Sequence, residues 1–211
     1  MNDRDRLRLA TAGAVCGILA TGVYLAKTLL PLPDPVNTLC WLSFGPLVVA
    51  GVPGLTAYLQ REHRRPATEV AKYFGVLAGA FHLAMAVVQS TNLTYMRQAI
   101  QSAQTAELKA SLRSILDGVF TVQLGLGFCW DAFIALTTLL FGVALLHERV
   151  LGRVLGVFGL LVGGLFLSFK LYTFPVPPAE AGLFDLGPAI GVWFLFMCVF
   201  VLANGNQIAI P

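Results

Sequence analysis

What this sequence lacks most is charge. Asp, Glu, Lys and Arg make up 12% of its 211 residues, while 57% are hydrophobic and the mean hydropathy is +0.76. So few charges cannot cover a soluble domain, and the chain reads as an integral membrane protein. Its formal net charge of +3 is too small to point to nucleic acid, which calls for a concentrated basic face. Cysteine and histidine are scarce as well. Cys16, Cys40, Cys129 and Cys198 each stand alone in an apolar segment, which excludes a disulfide framework or a metal knuckle. His63, His82 and His147 share no Glu-x-x-His or His-x-x-x-His spacing, so neither a zinc nor a haem site is expected. No phosphate loop or nucleophile elbow is present, and Ser43, Ser90 and Ser168 have no matching His and carboxylate. The sequence therefore names no catalytic residue, metal ligand or cofactor, and it leans away from an enzyme.

What the chain has in abundance is long apolar runs. A helix rises about 1.5 Å per residue and the hydrocarbon core is about 30 Å thick, so about 20 residues suffice to cross. Six stretches qualify, at about 8–30, 38–60, 69–91, 117–146, 150–173 and 183–204. They predict an all-α, six-span bundle forming one membrane domain. The basic head and apolar body at the N-terminus resemble a signal peptide. No small-x-small cleavage site follows, however, and the apolar part is as wide as a bilayer, so it is read as an uncleaved first span. Arg4, Arg6, Arg8, Arg61, Arg64, Arg65, Lys72, Arg149 and Arg153 all fall on one side of a six-span layout. The short loops Pro31–Asn37 and Pro175–Gly182 opposite them carry no Lys or Arg, which predicts both termini in the cytoplasm.

Residues 94–114 break the pattern, with Arg97, Lys109 and Arg113 on the outer side. Met96, Ile100, Ala103, Leu108, Leu112 and Ile115 recur at near-helical spacing. The segment is read as an amphipathic helix on the outer surface or folded over the bundle mouth, against the alternative of a polar loop. Prolines 31, 33 and 35, and 175, 177 and 178, mark sharp turns between antiparallel spans. Gly17–Lys27 also echoes Gly159–Lys170, each followed by a Pro-rich turn and a span with Gly-Pro, as an internal repeat or a chance likeness of Gly-rich helices.

The candidate site is built on Asp131, the only carboxylate inside the fourth apolar run and expected near the membrane midplane. A charged Asp at that depth costs roughly 2.5–3.5 kcal/mol even on lenient scales, so it should face protein or trapped water. Small residues mark helix contact faces in a bilayer. Such faces carry Gly13, Gly17, Thr21 and Tyr24; Gly75, Gly79, His82, Ala86 and Gln89; Gln123, Gly127, Asp131, Ala135, Thr138 and Gly142; and Gly152, Gly156, Gly159 and Gly163. His82 and Asp131 fall at similar depth, where they form either a proton-sharing pair or a buried packing hydrogen bond. Lys27, Lys170 and Asp185 lie near the outer ends. Lys170 is expected either to pair with Asp185 in a vestibule or to snorkel to the headgroups. Tyr24, Trp41, Tyr172 and Trp193 fit the vestibule mouth or an aromatic belt, and Trp130 is expected to pack toward lipid or a neighbouring helix.

The runs Trp130-Asp131-Ala132-Phe133, Phe141–Leu146, Gly152-Arg153-Val154-Leu155-Gly156, Tyr172–Pro178 and Gly182–Pro188 resemble uncharacterised bacterial multi-pass proteins. The layout is similar to a family of six- or seven-span proteins classed only as a domain of unknown function. The resemblance covers roughly residues 117–204 and implies a bundle in the bacterial inner membrane, with no activity and no site residues. Three functions follow from the sequence. The first is small-molecule binding or translocation through an outward-facing cavity with Asp131 and His82 at its base. The second is a scaffold assembling through Gly-rich faces with itself or a partner, and the third an intramembrane enzyme acting on a lipid or quinone. The partners are thus the bilayer, a small-molecule ligand and, on the second reading, another copy of the chain.

Overall fold

A computed structural model describes residues 2–61 and 65–205, so His63 and Arg64 lie outside the described residues. These residues form six α-helices: α1 (Asp3–Leu29), α2 (Asp34–Leu59), α3 (Pro66–Ser102), α4 (Ala106–Leu145), α5 (Val150–Thr173) and α6 (Gly187–Gly205). All six are long and apolar enough to cross a membrane, and the chain is a multi-pass membrane protein. Local chemistry sets the ends. Asn2 Oδ1 accepts the Asp5 amide at 2.8 Å to cap α1, and prolines occupy the first turns of α2 and α3, where a missing amide hydrogen costs nothing. Between α5 and α6 the chain turns through Gly182 at φ 80°, a conformation that strains any residue with a Cβ.

Each helix packs against its successor, and α6 returns to α1, closing a ring. Glycine permits the closest approaches. A Cβ on Gly13 of α1 would stand 2.6 Å from Gly54 Cα of α2, and one on Gly156 of α5 would stand 2.8 Å from the Gly142 carbonyl oxygen of α4. Gly152, Gly156, Gly159 and Gly163 are all buried within this one chain, against α4 and α6. That removes the lipid-exposed glycine stripe on which the scaffold reading depended. The two echoing hairpins also differ: Pro46 lies inside α2, whereas Pro188 follows Gly187 at the start of α6. Gly13 of α1 faces α2 and Gly17 meets Phe194 and Cys198 of α6, much as the glycines of α5 divide between α4 and α6.

The outer segment departs from expectation, because no separate helix spans 94–114. Residues 92–102 contain neither proline nor glycine, so α3 continues through them to Ser102. Thr105 then accepts the Leu108 amide at 3.2 Å and starts α4 at once. At about 1.5 Å per residue α3 and α4 are roughly 55 and 60 Å long, against roughly 36 Å for α5. The pair therefore projects past the other helices as a hairpin. Its apolar residues Leu108 and Ile115 are 49% and 55% exposed, so it does not fold over the bundle.

The end bearing the α2–α3 and α4–α5 connections, here the base, is solid. Val52, Leu55, Tyr58, Phe141, Leu145, Met197 and Val201 are fully buried there. Arg61 forms a two-pronged ion pair with Glu148 and lies over the Tyr58 ring at 4.1 Å. Around that pair, Arg6 donates to the Arg61 carbonyl at 2.9 Å, Arg65 to the Ala144 carbonyl at 2.6 Å and Arg153 to the Glu148 carbonyl at 3.0 Å. Residues from α1, α2, α4 and α5 and from the connections between them are thereby tied at one level.

Gly54→Val forces a branched side chain into the α1 backbone and should destabilise the fold by about 3 kcal/mol or more. Gly125→Ala, inside α4 with nothing within 4 Å of the added Cβ, should be neutral or stabilising by up to about 1 kcal/mol. Thermal unfolding in detergent compares the two directly.

Candidate functional site

The opposite end, here the mouth, is hollow. A cavity of about 250 Å³ lies inside the ring, and every helix contributes to its wall. Thr21 and Tyr24 come from α1, Trp41, Phe44 and Val48 from α2, and His82 and Met85 from α3. Trp130, Asp131 and Ile134 of α4, Phe166 and Lys170 of α5, and Ile190, Gly191 and Phe194 of α6 complete it, with Asp185 and Gly187 where α6 begins. A second cavity of about 220 Å³ lies between Gln123, Gly127 and Phe128 of α4 and Phe174–Pro177. Met85, Asp131 and Lys170 line both. The two hollows thus meet at one pair of charges.

That pair is an ion bridge across α4 and α5. Lys170 Nζ stands 2.6 Å from Asp131 Oδ2, with the two side chains only 15% and 18% exposed. Asp131 lies about 20 Å along α4 from Leu145, nearer the mouth than the centre of its apolar run implied. Helix α5 brings its lysine there because Gly156 and Gly163 let α5 press against Gly142 and Ala135 of α4. Lys170 is therefore committed to Asp131, and the expected Lys170–Asp185 pair does not form. Asp185 instead turns Oδ1 to the Gly187 amide at 2.9 Å, capping α6, and makes no ion pair among the described residues.

The expected His82–Asp131 pair is absent too. His82 is 2% exposed, and neither ring nitrogen has a hydrogen-bond partner. Aromatic rings surround it instead: Trp41, Phe44 and Trp130 stand with centroids 4.4, 4.6 and 5.2 Å away, all edge to face. Phe44 and Trp130 are themselves in contact at 5.4 Å. Trp130, next to the acid in sequence, packs its own ring against the imidazole, and no hydrogen bond joins His82 to Asp131. A proton relay between them has no geometric support.

Lys27 places its ammonium 3.5 Å from the centroid of Trp41, so this cation is held on the face of a ring that also lines the cavity. Gln123 lines the second cavity, and its Oε1 is buried without a partner. Gln89 lines neither hollow, although its Oε1 is likewise unpartnered. Of the four aromatics assigned to a mouth or a belt, Tyr24 and Trp41 face the cavity. Tyr172 is exposed, and Trp193 is buried, donating from Nε1 to the Leu155 carbonyl at 2.8 Å.

Sequence reasoning missed Phe44, Met85 and most of the α6 wall. For α2 a signal existed, since Trp41, Phe44 and Val48 recur at i, i+3 and i+7, one helical face. Glu148 was missed as well, its cue being a single acid set among basic residues at a connection. No group of His, Cys, Asp and Glu among the described residues is arranged to hold a metal ion. Comparisons of the chain with family models, curated proteins and solved structures find no match. Function is therefore argued from the cavity itself.

His82 acts here as an aromatic block, so His82→Phe should be tolerated. His82→Ala should cost about 2–5 kcal/mol through the void it leaves. Asp131→Asn and Lys170→Gln should each cost about 3 kcal/mol by stranding a charge, and the double variant distinctly less than their sum. Unfolding midpoints of the set, taken as a mutant cycle, check both statements.

Proposed function

We propose that the protein binds a small molecule in the mouth cavity, with the Asp131–Lys170 pair and the Trp41, His82 and Trp130 wall in contact with it. One observation carries this reading: an ion pair placed on the wall of a hollow to which six helices contribute. Polar groups at bilayer depth are costly and are retained mainly where they line a pathway or a site. A concave, mostly aromatic cavity with a few convergent charges is the usual form of a small-molecule site. Its volume of about 250 Å³ lies just under the common range of about 300–1,000 Å³, which favours a small ligand.

The proposed orientation puts the mouth outside and both termini in the cytoplasm. It is supported by Arg6, Arg61, Arg65, Lys72, Arg149 and Arg153 at the base end. An inner-membrane location and kinship with the bacterial six- or seven-span family rest on the motifs of residues 117–204. The glycine face of α5 is used within the chain, and among the described residues no group of His, Cys, Asp and Glu is arranged to hold a metal ion, so the cavity reading is the one argued.

Accessibility tests the proposal. With the four native cysteines replaced by alanine, Met85→Cys should react with a membrane-impermeant maleimide from one face of sealed vesicles, the face opposite the termini. The reaction should run several-fold faster than for Phe141→Cys, which is buried at the base. A folded Met85→Cys protein that resists labelling from both faces would remove the cavity as a site.

A further inference from the structure

Resting on the proposed cavity site, we infer that its ligand is a small zwitterion, a molecule carrying an ammonium and a carboxylate close together on an apolar body. Asp131 and Lys170 are paired at the wall, Asp185 lines the same hollow without an ion-pair partner among the described residues, and Lys27 lies outside the wall, over the Trp41 ring. With Lys27 behind that ring two ammonium groups stand near two carboxylates, and a ligand with no net charge leaves the balance intact.

The 2.6 Å bridge narrows the class further. A ligand reaching this part of the wall either leaves the bridge closed or opens it. A lone cation drawn to Asp131 would displace Lys170 and leave its ammonium, only 15% exposed, without a counter-charge among mostly aromatic walls, and a lone anion would strand Asp131. Removing one partner of a buried pair is strongly unfavourable. A zwitterion supplies both missing partners at once, its ammonium to Asp131 and its carboxylate to Lys170, turning one ion pair into a closed square of alternating charges. Charged hydrogen bonds of this kind are the strong ones.

The remaining wall fits the rest of such a molecule. Phe44, Trp130, Ile134, Phe166, Ile190 and Phe194 offer apolar and aromatic surface. Neutral polar groups lie on the same wall, Trp41 and His82 with ring nitrogens that have no partner and Thr21 with its hydroxyl spent on the Gly17 carbonyl at 3.1 Å. A polyol could meet some of these groups but would leave the charges unmatched. A purely apolar ligand would make no use of the charges.

The test uses the purified full-length protein and three sets of probes: α-amino acids with glycine betaine and β-alanine, the matching decarboxylated amines, and the matching deaminated acids. Thermal unfolding with each probe is the readout. At least one zwitterion should raise the midpoint, while its amine and acid counterparts bind on the order of a hundredfold more weakly. Lys170→Gln should shift preference toward the amine and Asp131→Asn toward the acid, a reversal that a merely structural bridge would not produce. Gly191→Leu, whose added side chain enters space where a Cβ meets nothing within 4 Å, should abolish the zwitterion's effect in a folded protein and serves if either charge variant fails to fold. The inference is overturned if amine or acid binds as well as the zwitterion. It is also overturned, with the cavity reading left standing, if no zwitterion acts but a sugar, quinone or alkylammonium protects Met85→Cys from labelling. Loss of labelling together with loss of every ligand effect would remove both.

Discussion

A carboxylate set among apolar helices has to be answered by another part of the same protein, because acyl chains cannot solvate it. Here the answer is Lys170, reaching Asp131 from the adjoining helix at 2.6 Å. The bridge requires α4 and α5 to lie close together, which Gly142, Gly156 and Gly163 allow. It also requires room beside it, since both side chains face hollow space and not packed methyl groups. The close helix contact and the void are thus two sides of one arrangement: small residues draw the backbones together at one level, and large aromatic rings hold them apart at the next.

The two ends of the ring follow different rules. At the base, apolar side chains interlock and Arg61, Arg65 and Arg153 consume exposed carbonyls and the Glu148 carboxylate. At the mouth, Trp41, Phe44 and Trp130 stack around His82 in edge-to-face contacts that line a wall without filling the centre. Aromatic pairs prefer such geometry, and it makes a stiff wall from few residues. Stiffness in the wall and space at the centre are what a preformed site needs.

Much of this was legible in the sequence. The six crossings followed from run length, and the inward faces of α3 and α4 followed from small residues at helical spacing: Gly75, Gly79, His82 and Ala86 are buried, and Ala135, Thr138 and Gly142 with them. Lys170 and Asp185 were gathered at the outer end, whereas Asp131 was placed deeper, beside His82. The Asp131–Lys170 pairing was not legible, because it depends on helix rotation and on which neighbour stands nearest, quantities that periodicity alone leaves open. His82 was assigned to Asp131 on depth, whereas its imidazole packs against Trp41, Phe44 and Trp130 instead. The 94–114 segment was misjudged for a different reason. Its polarity marked it as outside the bilayer, but polarity does not end a helix when neither proline nor glycine interrupts it.

The knot of arginines at the base bears on which end of the bundle is held fast. Four guanidinium groups, those of Arg6, Arg61, Arg65 and Arg153, and a buried glutamate bind the ends of neighbouring helices to one another, so parting any two of them there breaks several strong bonds in a single step. Among the described residues the opposite rim is held by a sparser set, the Asp131–Lys170 bridge between α4 and α5 and the Lys27–Trp41 contact between α1 and α2. The bundle is thus clamped most firmly at the base, the end away from the hollow.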